Sequence, residues 1–165
     1  MLTSRQADEW VNYAKMESEA DELYKMEQIF TKSLLQVPHV KLWSAYLDYV
    51  RRRNNLTTDT DGKARQIVAQ TFDFVLQHVG MDRNASQLWL DYIDFLKAGP
   101  GAVGGSSWQD GQKVDVLRKA YHRAVITPTH NTNAIWNEYT KFEMELNKAT
   151  VRTILCSYCY YHYCC

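Results

Sequence analysis

Cys156 and Cys159 are separated by two residues and followed by His162, the ligand types and spacing of a zinc site. A structural zinc needs four converging ligands, ordinarily two pairs held apart by a folded knuckle. All four cysteines, Cys156, Cys159, Cys164 and Cys165, crowd into the last ten residues, with no spacer to form one. No metal and no cofactor are expected. Glu17 and Glu143 could suggest acid–base chemistry, but no other polar group forms a constellation around either. Each is expected to face a neighbouring helix and accept a hydrogen bond from a Tyr, Arg or Lys there. Gly99-Pro100-Gly101-Ala102-Val103-Gly104-Gly105 has the composition of a phosphate loop, yet it lacks the Gly-Lys-Ser/Thr ending and follows a helix where such a loop follows a strand. The five histidines are scattered, and no Ser or Cys has a nucleophile signature. No catalytic residue is expected. Arg51, Arg52 and Arg53 suit the negative end of a helix dipole. With Lys63 and Arg65 they form a candidate patch for RNA or a partner, against the alternative of a solvated helix end.

A repeated pattern places these residues. Trp10-Tyr13-Met16, Trp43-Tyr46-Tyr49, Trp89-Tyr92-Phe95 and Trp136-Tyr139-Phe142 share one spacing. Offsets of three and six keep side chains on one broad helix face. Offset seven adds Glu17, Val50, Leu96 and Glu143, so the motifs span 10–17, 43–50, 89–96 and 136–143. Period-two alternation is missing, which argues against strands. One stripe cannot bury itself, and aliphatic helices follow at Glu22–Gln36, Gly62–Val79 and Gln112–Ile126. Pro38 and Pro128 mark boundaries, because proline lacks an amide hydrogen and restricts its predecessor. The expected fold is all-α: a right-handed α-solenoid of about four helix pairs over residues 1–153, the last pair incomplete. The incomplete repeat should leave Trp136, Tyr139 and Phe142 as an exposed apolar patch.

The tryptophans are 33, 46 and 47 residues apart. The first step suits a minimal helical hairpin; the longer ones need insertions. Asn54–Asp61 supplies one, with caps within Thr57–Asp61. Ala98–Gly111 supplies the other, with Trp108 expected to fold back onto the array. Residues 154–165, dominated by Cys and Tyr, do not continue the repeat and read as a disordered or non-native tail.

Nineteen basic and nineteen acidic residues cancel, so bulk electrostatics argue against nucleic-acid binding as the main role. No apolar run approaches the ~20 residues of a membrane helix, and Met1–Asp8 has no signal-peptide pattern. A soluble, intracellular chain is expected, with no membrane partner.

Trp-x2-Tyr-x2-aromatic, an aliphatic second helix and a proline before the next Trp resemble the half-a-tetratricopeptide (HAT) repeat of RNA-processing proteins. Segments 43–56, 76–82, 99–105 with Trp108-Gln109-Asp110, 117–121 and 142–148 resemble more closely the HAT subunit of the pre-mRNA cleavage and polyadenylation machinery. That subunit belongs to fungal cleavage factor IA and has a counterpart in animal cleavage stimulation factor. The resemblance spans roughly residues 9–152. It implies a nuclear scaffold, also cytoplasmic in part, without catalytic residues, whose partners are other cleavage and polyadenylation subunits, with weak RNA contact a further option. The family's homodimer is built by a C-terminal half that this sequence does not carry, so dimerisation is not expected of this polypeptide, which reads as an N-terminal fragment. Two alternatives remain open: a HAT scaffold of a splicing or rRNA-processing complex, and an RNA-binding module built on Arg51–Arg53.

Overall fold

Each repeat places a tryptophan helix beside an aliphatic one, and the helices begin and end where local chemistry requires. The computed structural model describes residues 2–20 and 22–146, which form seven α-helices: α1 Leu2–Glu19, α2 Leu23–Ser33, α3 Val40–Arg53, α4 Lys63–Val79, α5 Ser86–Lys97, α6 Trp108–Val125 and α7 Thr132–Leu146. The odd-numbered helices carry the Trp motifs. The architecture is the expected all-α one, in antiparallel pairs. No described helix is long and apolar enough to cross a membrane. Residues 154–165, including Cys156, Cys159 and His162, lie outside the described residues.

The chain divides into two compact units, Met1–Asp82 and Arg83–Cys165. In the first, α1 packs on α2 and α3, and α3 packs on α4. Ala7 and Ala14, both buried, give α1 a flat face one heptad long, which lets its neighbours approach closely. Leu42, Trp43 and Leu47 of α3 are buried with Val68, Phe72 and Val75 of α4. In the second unit α6 packs against both α5 and α7. Leu88, Ile93, Leu117, Tyr121, Ile135 and Tyr139 fill its core. The starts of α5 and α7 are tied together there: Asn131 N–H donates to Ser86 Oγ at 3.0 Å, and His130 N–H donates to the Arg83 carbonyl at 2.8 Å.

Both insertions are ordered by carboxylates. Asp59 accepts from the Arg65 amide at 2.8 Å, satisfying one of the free N–H groups in the first turn of α4. Asp110 accepts from the amides of Ala102 and Ser107, while Lys113 donates to the carbonyls of Gly99 and Gly101 at 2.8 Å each. Gly101 and Gly104 take positive φ, and a Cβ on Gly105 would collide with the Asp110 carboxylate. Ser107 and Asp110 form a reciprocal capping box, so α6 starts at Trp108 rather than at Gln112. That start corrects the expectation for Trp108. As the first helical residue it points away from the array and is 81 % exposed. Ser107→Ala should cost about 1 kcal/mol and fray the first turn of α6, read as faster amide exchange at Gln109–Gly111.

The apolar patch also lies elsewhere than expected. Tyr139 and Phe142 are buried, because Tyr121 of the preceding helix covers both, ring centroids 5.3 Å away in each case. Phe30 of α2 covers Tyr46 and Tyr49 in the same way, at 5.5 Å each. Each of these stripes is thus capped by the aliphatic helix before it. No helix precedes α1 among the described residues, and there Tyr13 is 45 % and Met16 66 % exposed.

Candidate functional site

Two polar locks hold Glu143 and Glu17, and one open groove holds the Trp43-Tyr46-Tyr49 stripe. The first lock is in the second unit. Arg118 of α6 donates through Nε and Nη2 to the two oxygens of Glu143, at 2.7 and 3.0 Å, and the Glu143 side chain is 1 % exposed. The bond to Glu143 raises the Arg118 pKa against the opposing pull of burial. This bidentate pair pins α6 to α7. One turn along α6, His122 Nε2 lies 2.8 Å from the Tyr139 hydroxyl. Lys97 of α5 donates to Glu138 of α7 at 2.9 Å and lies over the Tyr121 ring. Burial opposes the charge on Lys97, but the Glu138 carboxylate and Tyr121 outweigh it and raise the pKa. The second lock, in the first unit, is weaker: Lys25 lies 3.7 Å from Glu17, whose side chain is mostly covered.

Burial lowers the His122 pKa, with Glu143 pulling up and Arg118 pushing down. A histidine whose folded pKa is depressed favours the folded state while neutral. Its contribution is complete above the ordinary value of 6.5 and is lost as pH falls from there through the folded pKa. Urea unfolding of the chain should therefore show weakening of the second unit below about pH 6.5. His122→Gln should flatten that part of the profile.

The five cations of the candidate patch do not form a free set. Arg52 donates to the Ser18 carbonyl and hydroxyl, Arg53 donates to Glu27 and to the Tyr49 hydroxyl at 2.9 Å each, and Lys63 pairs with Asp61. Arg51 is exposed, and the Arg65 amide serves as a cap donor to Asp59. In the third copy Trp89, Tyr92 and Phe95 are buried, with the Arg123 guanidinium 5.4 Å over the Trp89 ring. In the first copy Trp10 is half-buried, and in the fourth Trp136 is half-buried and edge-on to Tyr139. Among the described residues no three His, Cys, Asp or Glu gather into a metal-binding group.

The open groove is in the first unit. α2 and α4 both pack on α3 but form no helix–helix interface of their own. The space between them, about 640 Å³, is floored by Trp43, Tyr46 and Tyr49 of α3. α2 contributes Phe30 and Thr31, the turn that follows it Leu34 and Leu35, and α4 Ile67, Thr71, Phe74 and His78. Leu35, Ile67 and Phe74 are exposed, Phe74 by 46 %. His78 stacks on Trp43 at 4.7 Å and contacts Phe74 at 4.5 Å. Sequence reasoning found the floor but missed Phe74 and His78. The signal was present: Ile67, Thr71, Phe74 and His78 recur at helical spacing on a face distinct from the buried Val68, Phe72, Val75 and Val79. A helix with two apolar faces has a second surface to cover.

Residues 3–159 match the family model described as Suppressor of forked protein (Suf). The mRNA 3′-end-processing protein rna14 of Aspergillus fumigatus is 56 % identical over 149 residues, covering 90 % of this chain and 14 % of that protein. Its namesake in Neurospora crassa is 50 % identical, covering 90 % and 13 %, and that of Schizosaccharomyces pombe 36 % identical, covering 87 % and 19 %. The chain therefore spans about one seventh of the length of the Aspergillus relative. A crystal structure of CstF-77 superimposes with a TM-score of 0.70 at 20 % identity, covering 92 % of this chain and 30 % of that one, a likeness of fold.

Proposed function

Because the chain belongs to the Suppressor of forked (Suf) family, we propose that it is part of a non-catalytic scaffold of the nuclear machinery that cleaves and polyadenylates pre-mRNA. The observation that carries this reading is the 56 % identity to an mRNA 3′-end-processing protein across 90 % of the chain. The physical character of the molecule agrees with it. Its one fully buried carboxylate among the described residues, Glu143, is committed to Arg118 inside a helix–helix contact. The open groove between α2 and α4 is lined mainly by apolar and aromatic side chains, the material of protein recognition. Three of the five cations of the candidate patch, Arg52, Arg53 and Lys63, are bonded within the chain, which favours contact through proteins over contact through phosphate. Affinity purification of the full-length protein from nuclei should recover other cleavage and polyadenylation subunits. Recovery of splicing or ribosome-assembly factors in their place would overturn the assignment.

A further inference from the structure

We propose that the Asp61–Gly62 step is a self-modification site, at which the folded chain rearranges without an enzyme to isoaspartate. The Gly62 amide nitrogen attacks Asp61 Cγ and a C–N bond forms. The hydroxyl of the neutral carboxyl leaves with the amide hydrogen as water, closing a five-membered succinimide. Water then opens the ring. Addition at the former main-chain carbonyl breaks its bond to the nitrogen and leaves the chain running through Cβ and Cγ, with a free α-carboxylate. One water leaves and one enters, and nothing is oxidised or reduced. Glycine permits the attack because it has no side chain to crowd the nitrogen.

The sequence holds two Asp-Gly steps, Asp61–Gly62 and Asp110–Gly111, and the structure sets them apart. Asp110 lies in the first turn of α6, where the Gly111 N–H is spent on the Ser107 carbonyl at 3.1 Å. Its carboxylate accepts from the amides of Ala102 and Ser107 at 2.6 and 2.9 Å. The bonds from Ala102 and then from Ser107 hold that carboxyl below the usual carboxylate range, so the neutral form that loses hydroxyl is scarce. Asp61 and Gly62 are both exposed, in the bend before α4. The Gly62 N–H has no acceptor among the described residues. Gly62 takes φ +70°, and a Cβ there would meet nothing within 4 Å. The Asp61 carboxylate receives the Thr60 hydroxyl at 3.3 Å and the Lys63 ammonium at 3.2 Å, surface bonds that water competes for. The rearrangement adds one main-chain carbon between two parts of the α4 cap. Asp59 accepts from the Arg65 amide, and the Gly62 carbonyl accepts from the Gln66 amide at 3.0 Å. Isoaspartate at position 61 shifts Asp59 away from the first turn and frees its N–H groups.

The test is to age the 165-residue chain at neutral pH below its unfolding temperature. Peptide mapping with electron-transfer fragmentation then tells isoaspartate from aspartate at each step. Isoaspartate should build up at Asp61 about tenfold or more faster than at Asp110, where hydrogen bonds must break first. In guanidinium chloride, which unfolds the chain, the two rates should converge. Asp61→Glu, which would need a six-membered ring, should stay unmodified at position 61 and keep the fold. Amide exchange at Arg65 and Gln66 should quicken in the aged parent and not in aged Asp61→Glu. No isoaspartate at Asp61 in the folded chain, equal rates at the two steps before unfolding, rates that stay apart in guanidinium, or unchanged exchange at the start of α4 in the isomerised chain would each overturn the proposal.

Discussion

Arg118→Ala should destabilise the second unit by about 3 kcal/mol, toward the lower end of the range for breaking a buried pair. The loss comes less from the bond than from what remains. Glu143, 1 % exposed in the intact pair, would lose both of its bonds to Arg118, and the neighbouring His122, whose pKa burial lowers, is a poor substitute for the guanidinium. The Arg118 side chain is one-third exposed, which is why the larger end of the range is not expected. Water entering through the vacated space would moderate the cost further. The double replacement Arg118→Met with Glu143→Leu should recover most of the stability, since matched apolar side chains can replace a buried ion pair at little cost. Urea unfolding of the single and double variants separates the two terms. A single variant as stable as the parent would mean that Glu143 is not desolvated as the geometry indicates.

The second large effect contrasts two positions of the same motif. Phe142 and Met16 are both the sixth residue after their tryptophan. Phe142→Ala should cost about 3–5 kcal/mol, because Tyr121 packs on it and a cavity would remain. Met16→Ala should change stability by no more than about 0.5 kcal/mol, since that side chain is 66 % exposed. Thermal unfolding of both variants gives the comparison. Motif position alone does not set the energy; the helix stacked on the stripe does.

That contrast marks the limit of what was legible in the sequence. The Trp-Tyr spacing located all four odd-numbered helices, and the aliphatic runs located their partners to within a few residues. Where a motif would be buried was not legible. Burial of Tyr139 depends on Tyr121, which belongs to the helix before it, and the sequence reading looked for cover only from the helix after. The exposure of Trp108 was readable in principle, because Ser107 and Asp110 have the spacing of a capping box, but the glycines around them read as a loose loop. The groove was the least accessible feature. Its existence depends on α2 and α4 resting on α3 without closing on each other, a matter of packing that helical periodicity does not encode. The cations of α3 illustrate the same point. Arg51, Arg52 and Arg53 are adjacent in sequence, yet the helix turns them to three different surroundings: open solvent, Ser18, and the Glu27–Tyr49 corner.

The central claim is that this chain contributes a protein-binding surface to the 3′-end-processing machinery. It is tested most directly by placing a photo-crosslinking phenylalanine analogue at position 74, on the exposed wall of the groove, in the full-length protein in cells. The account predicts a light-dependent covalent adduct with another subunit of the cleavage and polyadenylation machinery. Adducts confined to RNA, or to proteins of a splicing or ribosome-assembly complex, would contradict it.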